Sequence, residues 1–369
     1  MEVKVRPLRD GDIVELHRWM RHPKVLWGTL QLPSLQIGWM RRWFREPRNT
    51  IALVGELPGK RGSGAVAGMV ILRRLSGRQT HVAGAFIAVD PRYHGKGVGT
   101  ELMEAALDLA ERYWRPLRVE LGVYPDNVAA LRLYRRFGFQ EEGRRVHFAI
   151  RDGTYVDELS MARLCHVPDL QEPTALSEAR PTPHDGERGS RDIEEIEIRP
   201  PLPRDAPALV RFYSDPAVVR DSLLMPLPPP DEEKIAADLE TIPKSPTHVF
   251  LALSRGKVCG EIRLEPGKGR LRHSGKLTLT VPPPESGLAS ALGVKMEAVA
   301  RALLTAALGL ADRWLLLHRV EVETYADQAW LFPLLAECGF RQEVRKRLAA
   351  LRDGAFADRI VWGRLAVGS

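Results

Sequence analysis

Two apolar segments on either side of a glycine-rich turn stand out in the first 120 residues. Residues 83–89 (AGAFIAV) form a continuous apolar run, which predicts a buried strand. The residues after Val98 have a different pattern, because apolar side chains recur about every three to four positions. These positions are Leu102, Ala106, Leu109 and Ala110. The pattern predicts a helix that buries one face, so the segment is a strand, a turn and a helix.

Further elements follow from the same patterns on both sides of this segment. Residues 3–8 alternate as an edge strand, and residues 118–123 alternate as another strand. Residues 127–137 have helical spacing, and Asp152-Gly153 is a strong hairpin turn between two further strands. We therefore expect an α/β (α+β) fold with a mixed, mostly antiparallel sheet flanked by helices.

The pattern then starts again, which indicates a tandem duplication. Residues 196–200 (IEIRP) repeat residues 3–7 (VKVRP), and residues 352–356 (RDGAF) repeat residues 151–155 (RDGTY). The stretch between the copies is rich in Pro, Gly, Ser and charged residues, as is typical of a linker. We predict a first domain over residues 1–164, a flexible linker over residues 165–192 and a second domain over residues 193–369.

Composition excludes several classes of protein. The chain has 369 residues, of which 44% are hydrophobic and 27% charged, as in soluble globular proteins. We expect no membrane partner, since no apolar run reaches transmembrane length and the N-terminus lacks the apolar core of a signal peptide. Cys165, Cys259 and Cys338 are too few and too far apart for a disulfide framework or a Cys-rich metal site. We therefore expect a cytoplasmic protein without a metal.

The net charge of +7 raises the question of nucleic-acid binding. The basic residues are spread over both copies, and aromatic residues do not alternate with the short basic clusters to stack bases. We therefore expect no nucleic-acid partner. A basic surface also suits a small molecule that carries several phosphates.

The glycine-rich turn is the first candidate for chemistry. Gly95, Gly97 and Gly99 have no side chains, so their peptide N–H groups can converge on a phosphate at the positive end of the helix. Their spacing matches neither a Rossmann fingerprint nor a Walker loop. A tight turn without a ligand is the alternative that these residues leave open.

Two motifs narrow the choice between a phosphate-binding loop and a tight turn without a ligand. Arg92-x-x-Gly95-x-Gly97 resembles the coenzyme A pyrophosphate loop of the GCN5-related N-acetyltransferase (GNAT) superfamily. Asn127-x6-Tyr134, followed by Gly138-Phe139, resembles a helix of the same family. The resemblance implies two tandem GNAT folds, acetyl-CoA as the co-substrate, and transfer of its acetyl group to the primary amine of a small molecule.

The resemblance also implies roles for individual residues. Tyr134 would protonate the departing thiolate, a role that suits a phenol with a pKa of about 10. The proton acceptor is His81 or Glu120. Coenzyme contacts fall on Ile87, Ala88, Val89, Arg92, Gly95, Lys96, Gly97, Val98, Gly99, Thr100, Asn127, Ala130 and Tyr134. The acceptor would contact Trp27, Thr29, Leu30 and Gln31.

Within the family, the loop at residues 29–34, the strand start at His81 and the hairpin at residues 151–157 resemble the bacterial L-amino-acid N-acetyltransferases. This resemblance implies the α-amine of a free amino acid as the acceptor. The alternatives are a protein or peptide N-terminal acetyltransferase, an antibiotic acetyltransferase, and a non-catalytic acyl-CoA-binding regulator.

The second copy lacks the motifs of the first. Residues 282–284 are prolines at the place of the coenzyme loop, and prolines cannot donate peptide N–H groups to a phosphate. Gln328 and Leu335 stand where the first copy has Asn127 and Tyr134. We predict that this copy is a scaffold or a pocket wall; a cofactor bound by a different loop is the alternative.

Overall fold

The computed structural model describes residues 2–43, 49–58, 64–165, 196–223, 231–242 and 245–366. Residues 166–192 of the predicted linker lie outside these ranges. We call the elements before the linker the N-terminal half and those after it the C-terminal half.

The N-terminal half has strands β1 (Lys4–Pro7), β2 (Thr50–Leu57), β3 (Ala65–Arg74), β4 (Val82–Val89), β5 (Arg118–Val123), β6 (Gln140–Arg151) and β7 (Thr154–Leu164). Its helices are α1 (Ile13–Met20), α2 (Pro23–Trp27), α3 (Ile37–Trp43), α4 (Val98–Tyr113) and α5 (Val128–Arg136). The predicted strand at residues 83–89, the helix from Val98 and the strand at residues 118–123 are thereby confirmed, the first with one extra residue.

The C-terminal half has strands β8 (Glu197–Arg199), β9 (His248–Ser254), β10 (Lys257–Pro266), β11 (Ser274–Thr280), β12 (Arg319–Tyr325), β13 (Arg341–Arg352) and β14 (Ala355–Leu365). Its helices are α6 (Ala206–Ser214), α7 (Pro216–Asp221), α8 (Glu232–Thr241), α9 (Gly287–Leu292), α10 (Met296–Arg313) and α11 (Leu331–Glu337).

All the strands join one mixed, mostly antiparallel sheet. Its order is β1-β2-β3-β4-β5-β7-β6-β13-β14-β12-β11-β10-β9-β8, so the two halves meet where β6 lies beside β13. Read outward from this border, the two halves repeat the same strand order in opposite directions. The border pair itself is Gly143 with Val344. A Cβ on Gly143 would overlap the backbone of Glu343, so the close approach of the strands requires glycine at this position.

In the N-terminal half the neighbouring strands β4 and β5 separate along their length, and we call this opening the fork. The parallel strands β4 and β5 pair from Val82 with Arg118 to Gly84 with Glu120, although β4 runs on to Val89. Beyond Gly84 the two strands are not paired with each other. The distal part of β4, which precedes the glycine-rich turn, therefore does not have β5 as a strand partner on that side.

Helices cover both faces of the sheet next to the fork. On one face, α4 packs against β2 and β3 through side chains such as Leu102 and Ala106, which are fully buried. On the other face, helices α1 to α3 pack against Met69 and Ala88. Alternate residues of β3 therefore point into two different cores, as the period of a strand requires.

Candidate active site

The predicted phosphate cradle lies between β4 and α4. Gly95 and Gly97 have φ angles of 73° and 81°, which residues with a side chain rarely adopt. A Cβ on either residue would meet no atom within 4 Å, so glycine is needed for its conformation and the space beside the turn is open. Helix α4, with 16 residues, directs the positive end of its dipole at this turn. The turn therefore fits a diphosphate.

Charged side chains fasten the turn to its surroundings. Arg92 donates from Nε to Oδ2 of Asp90 (2.8 Å) and from a terminal nitrogen to Glu15 of α1 (3.1 Å). Burial alone would raise the pKa of Asp90, but the hydrogen bonds from Arg92 hold it below its usual value. The ammonium of Lys96 lies 5.1 Å from the ring centre of Tyr93. Arg92 thus links the turn to Asp90 at the end of β4 and to Glu15 of α1.

The first turn of α4 meets both β4 and α5. A Cβ on Gly99 would lie 3.7 Å from Val89 and 4.0 Å from Ile87 on β4, and 3.4 Å from Leu133 on α5. Val98 is buried beneath this contact. The structure thus brings the strand, the turn and the second motif helix together, as the two sequence motifs require.

Four other predicted coenzyme contacts have roles within the fold. The N–H of Thr100 donates to the carbonyl of Gly97 (2.9 Å), and the N–H of Ala130 donates to the side-chain oxygen of Asn127 (3.2 Å). Asn127 therefore caps α5 with its oxygen, which leaves its amide nitrogen for other partners. Ala88 is buried on the opposite face, in the core under helices α1 to α3.

Tyr134 lies on α5 and is 7% exposed. Its ring centre is 5.9 Å from that of Phe139, which belongs to the Gly-Phe pair of the second motif. Burial raises the pKa of Tyr134 to about 12. The phenol therefore keeps its proton throughout the neutral range, as a proton donor must.

A cavity of about 550 Å³ opens at the fork between β4 and β5. Its wall is formed by residues 28–31 and by side chains of β3, β4, β5 and β7, with Arg145 from β6 and Lys346 from β13. The predicted acceptor contacts Thr29, Leu30 and Gln31 are all part of this wall. Lys346 is the one described lining residue that comes from the C-terminal half.

Trp27 lies at the edge of this region and is 48% exposed. The guanidinium of Arg151 lies 4.0 Å from the centre of its ring, and its Nε1 donates to Asp126 at 3.3 Å. Arg151 also donates to Asp126 at 3.1 Å and to the carbonyl of Trp27 at 3.3 Å. The three side chains form a cluster that holds the end of α2, and Trp27 is not among the described residues that line the cavity.

Glu120, one of the two predicted proton acceptors, lines the cavity beside Arg118. Arg118 is 1% exposed and donates to Glu120 (3.0 Å), to Glu142 (2.6 Å) and to the carbonyl of Arg347 (2.9 Å). Burial would raise the pKa of Glu120, but the positive charges of Lys346 and Arg118 lower it on balance. Glu120 is therefore a carboxylate at neutral pH.

Two further polar groups of the cavity were missed in the sequence. Glu158 of β7 faces Gly122, where a Cβ would overlap its carboxylate, and forms an ion pair with Arg145 at 3.3 Å. Burial raises the pKa of Glu158. The hydroxyl of Tyr124 is buried and has no hydrogen-bond partner among the described residues. The available signal for Glu158 was a second acidic residue directly after Asp157 in the middle of β7.

Comparison with known proteins identifies the family. The profile of the Acetyltransferase (GNAT) family matches residues 13–139. The chain is 31% identical over 164 residues to the L-amino acid N-acetyltransferase AaaT of Escherichia coli (strain K12), which covers 44% of this chain and 98% of that protein. The chain belongs to the GNAT family. It is an acetyl-CoA-dependent N-acetyltransferase, and the expected family and co-substrate are confirmed.

Other GNAT proteins are also similar to the chain. It is 27% identical over 177 residues to the spermidine N(1)-acetyltransferase of Escherichia coli (strain K12), which covers 44% of this chain and 87% of that protein. A solved structure of the spermidine N-acetyltransferase from Vibrio cholerae in complex with CoA and spermine is 23% identical, with a TM-score of 0.40, and covers 44% of this chain and 95% of that one.

His81, the other predicted proton acceptor of this acetyltransferase, lies at the contact between the halves. Its Nε2 is 2.9 Å from the carbonyl of Leu348, and its ring centre is 4.7 Å from that of Phe356. Burial lowers its pKa. The described cavity lining includes Glu120 but not His81.

The corresponding fork of the C-terminal half is filled with charged side chains. Glu323 has the place in β12 that Gly122 has in β5, and it contacts Arg359, Lys276 (3.3 Å) and Lys346 (3.9 Å). Arg359 has the place in β14 that Glu158 has in β7. The corresponding residues of the N-terminal half, Gly122 and Glu158, line the cavity.

No described helix combines the length and the apolar character needed to cross a membrane. Within the described ranges, no group of three or more His, Cys, Asp or Glu side chains is arranged to hold a metal ion.

Proposed function

We propose that the protein transfers the acetyl group of acetyl-CoA to the α-amine of a free amino acid. The observation that supports this acceptor is the charge of the cavity wall, whose described lining has four cationic and two anionic side chains. They are Arg73, Arg118, Arg145, Lys346, Glu120 and Glu158. An amino acid offers an ammonium group to the carboxylates and a carboxylate to the cations. A polyamine carries only positive charge and would meet a wall with an excess of the same charge.

The acceptor reaches the cavity as an ammonium ion and must lose a proton before it can attack. We assign the proton acceptor to Glu158, because burial raises its pKa toward the pH at which the enzyme works. Glu120 stays charged at lower pH and would attract the ammonium. His81 is less suitable, since its Nε2 already contacts the Leu348 carbonyl.

Residues on the other side of the fork would hold the donor and complete the transfer. When bound, acetyl-CoA supplies an activated acyl group and a thiolate leaving group. Backbone N–H groups of residues 95–99 would bind the diphosphate, and the part of β4 beyond its pairing with β5 would bind the pantetheine arm. Tyr134 would donate its proton to the thiolate.

Thiol release from acetyl-CoA tests the proposal, measured with free amino acids, polyamines, aminoglycosides and short peptides as acceptors. We expect turnover on free amino acids. Tyr134→Phe keeps the buried ring and removes the proton, so we expect kcat to fall by about 10²- to 10⁴-fold with little change in KM. Tyr113→Phe is the control, because Tyr113 is 76% exposed at the end of α4.

Three results would contradict the proposal. Turnover restricted to polyamines or to peptides would replace the acceptor. Coenzyme binding without turnover on any amine would leave a non-catalytic protein. An equal effect of Tyr134→Phe and Tyr113→Phe would remove the assigned proton donor.

A further inference from the structure

Lys346 belongs to the C-terminal half but lies in the wall of the N-terminal cavity. It has the same place in β13 that Arg145 has in β6, and both strands have an irregular register directly after this residue. Leu348, inside this irregularity, has a φ of 50°. Bulges of this kind bend a strand and redirect its side chains. Because β13 lies beside β6 at the border, Lys346 of the C-terminal half reaches the cavity of the N-terminal half.

The arginines of the cavity wall already contact other groups of the protein. Arg118 forms ion pairs with Glu120 and Glu142 at 3.0 and 2.6 Å. Arg145 lies between Glu158 at 3.3 Å and Glu321 at 3.7 Å. The remaining arginine of the wall, Arg73, also has contacts within the protein. None of these guanidinium groups is free to turn toward a ligand without giving up its present contacts.

The ammonium of Lys346 is held more weakly. Among the described residues its ion pair is with Glu323, at 3.9 Å, the outer limit of such a contact. Glu323 is also contacted by Lys276 at 3.3 Å and by Arg359, so its negative charge is already balanced. The side chain of Lys346 is 13% exposed. The charge of Lys346 also acts on Glu120, but the described residues place no carboxylate in a closer ion pair with its ammonium than 3.9 Å. An enclosed cation without a close partner favours an anionic group of the ligand.

We propose that Lys346 of the C-terminal half binds the carboxylate of the acceptor in the cavity of the N-terminal half. The proposal rests on the proposed function, because it assumes an acceptor with a carboxylate beside its amine. Glu120 and Glu158 lie in the same wall and attract the ammonium. The zwitterion is thus oriented between charges from both halves, and the C-terminal half supplies part of the acceptor specificity.

The test compares an accepted amino acid with its amide, which has the same amine and side chain but no carboxylate. In the full-length protein, Lys346→Met should lower kcat/KM for the amino acid by about 10- to 100-fold, mainly through KM, because a charged hydrogen bond is lost. The values for the amide and the KM for acetyl-CoA should not change. Lys346→Arg should restore part of the loss.

Lys257→Met is the control. Lys257 is an exposed lysine of the same half, at the start of β10, and is not part of the described cavity wall, so this variant should behave as the wild type on both acceptors. Equal losses on amino acid and amide in Lys346→Met, or no loss on either, would overturn the role of Lys346. A wild type that does not use amino acids at all would instead overturn the proposed function, and the Lys346 proposal with it, before any variant is measured.

Discussion

Arg270 links the C-terminal half to the acceptor loop, and its replacement should weaken acceptor binding from a distance. It lies in the short turn before β11, is 7% exposed and donates to carbonyl groups of the N-terminal half. The carbonyl groups that receive these hydrogen bonds belong to Ile150 (2.7 Å), Leu26 (2.8 Å) and Thr29. Thr29 is also part of the cavity wall. Arg270 therefore fixes both ends of the loop at residues 26–29.

The expected change in the stability of Arg270→Met is the difference between two opposing contributions of the arginine. Charged hydrogen bonds contribute about 1.5–3 kcal/mol each, so the three bonds to carbonyls stabilise the contact by several kcal/mol. Within the described ranges no carboxylate forms an ion pair with Arg270, and one terminal nitrogen is buried without a partner. A buried cation in that situation costs several kcal/mol, which offsets much of the gain. We expect Arg270→Met to destabilise the protein by only about 1–3 kcal/mol.

Catalysis should respond more clearly than stability. Without its anchors the loop loses its fixed position, and we expect the acceptor KM of Arg270→Met to rise about tenfold. The KM for acetyl-CoA should stay constant, since the turn at residues 95–99 is held by other groups. Steady-state kinetics with each substrate varied in turn, together with urea unfolding, separate the two effects.

Arg272→Met is the control, because Arg272 is exposed two residues further along the same segment. The reasoning would be refuted if Arg270→Met lost stability while its acceptor KM stayed at the wild-type value. It would also be refuted if the KM for acetyl-CoA rose as much as the KM for the acceptor.

Two further predictions concern pH. Burial raises the pKa of Glu158, whereas the pKa of Glu120 is lowered because the charges of Lys346 and Arg118 outweigh its burial. If Glu158 accepts the proton, kcat should fall on acidification with an apparent pKa above about 4.5, and Glu158→Gln should abolish this dependence and lower kcat by about 10²-fold. An apparent pKa below that value would transfer the role to Glu120. Burial lowers the pKa of His273 and His318, so the unfolded chain binds more protons below about pH 6.5 and the free energy of unfolding should fall from pH 6.5 toward pH 5. Urea unfolding should show this loss in the wild type and a smaller one when both histidines are replaced by glutamine; a constant midpoint would contradict it.

The sequence was sufficient for the elements that carry the coenzyme motifs. The strand before the turn and the helix after it were predicted closely because each is a periodic apolar run that ends at residues with special backbone requirements. Gly95 and Gly97 were identified because they lack side chains beside a candidate phosphate, and both have positive φ angles in the structure. These features depend on neighbours along the chain, and local pattern shows them directly.

The cavity wall could not be predicted in the same way. Lys346 and Arg270 reach the N-terminal half across the border, and contacts between such distant parts of the chain leave no local pattern. His81 shows the same limit, because its place in the sequence matched a family position but gave no sign that its ring would contact the carbonyl of Leu348 in the other half. The predicted domain division gave no sign that strands of both copies would join one sheet through Gly143 and Val344.

The border between the halves explains how a second copy without the coenzyme motifs can still contribute. Arg118 donates to the carbonyl of Arg347, and Arg319 donates to the carbonyl of Val146 at the corresponding place, so the same bond is made twice across the border. Buried arginines contribute little net stability compared with apolar residues, but they tolerate few alternative arrangements.

The two halves are therefore held in one register, and that register places Lys346 in the cavity wall. At the forks themselves the halves differ. Gly122 leaves space for the carboxylate of Glu158 beside the cavity in one half, whereas Glu323 and its ion pairs take the corresponding place in the other. The symmetric border and the asymmetric forks together produce one cavity built from both copies. On this basis, the C-terminal half should be inseparable from acceptor recognition although it lacks the motifs of a coenzyme site.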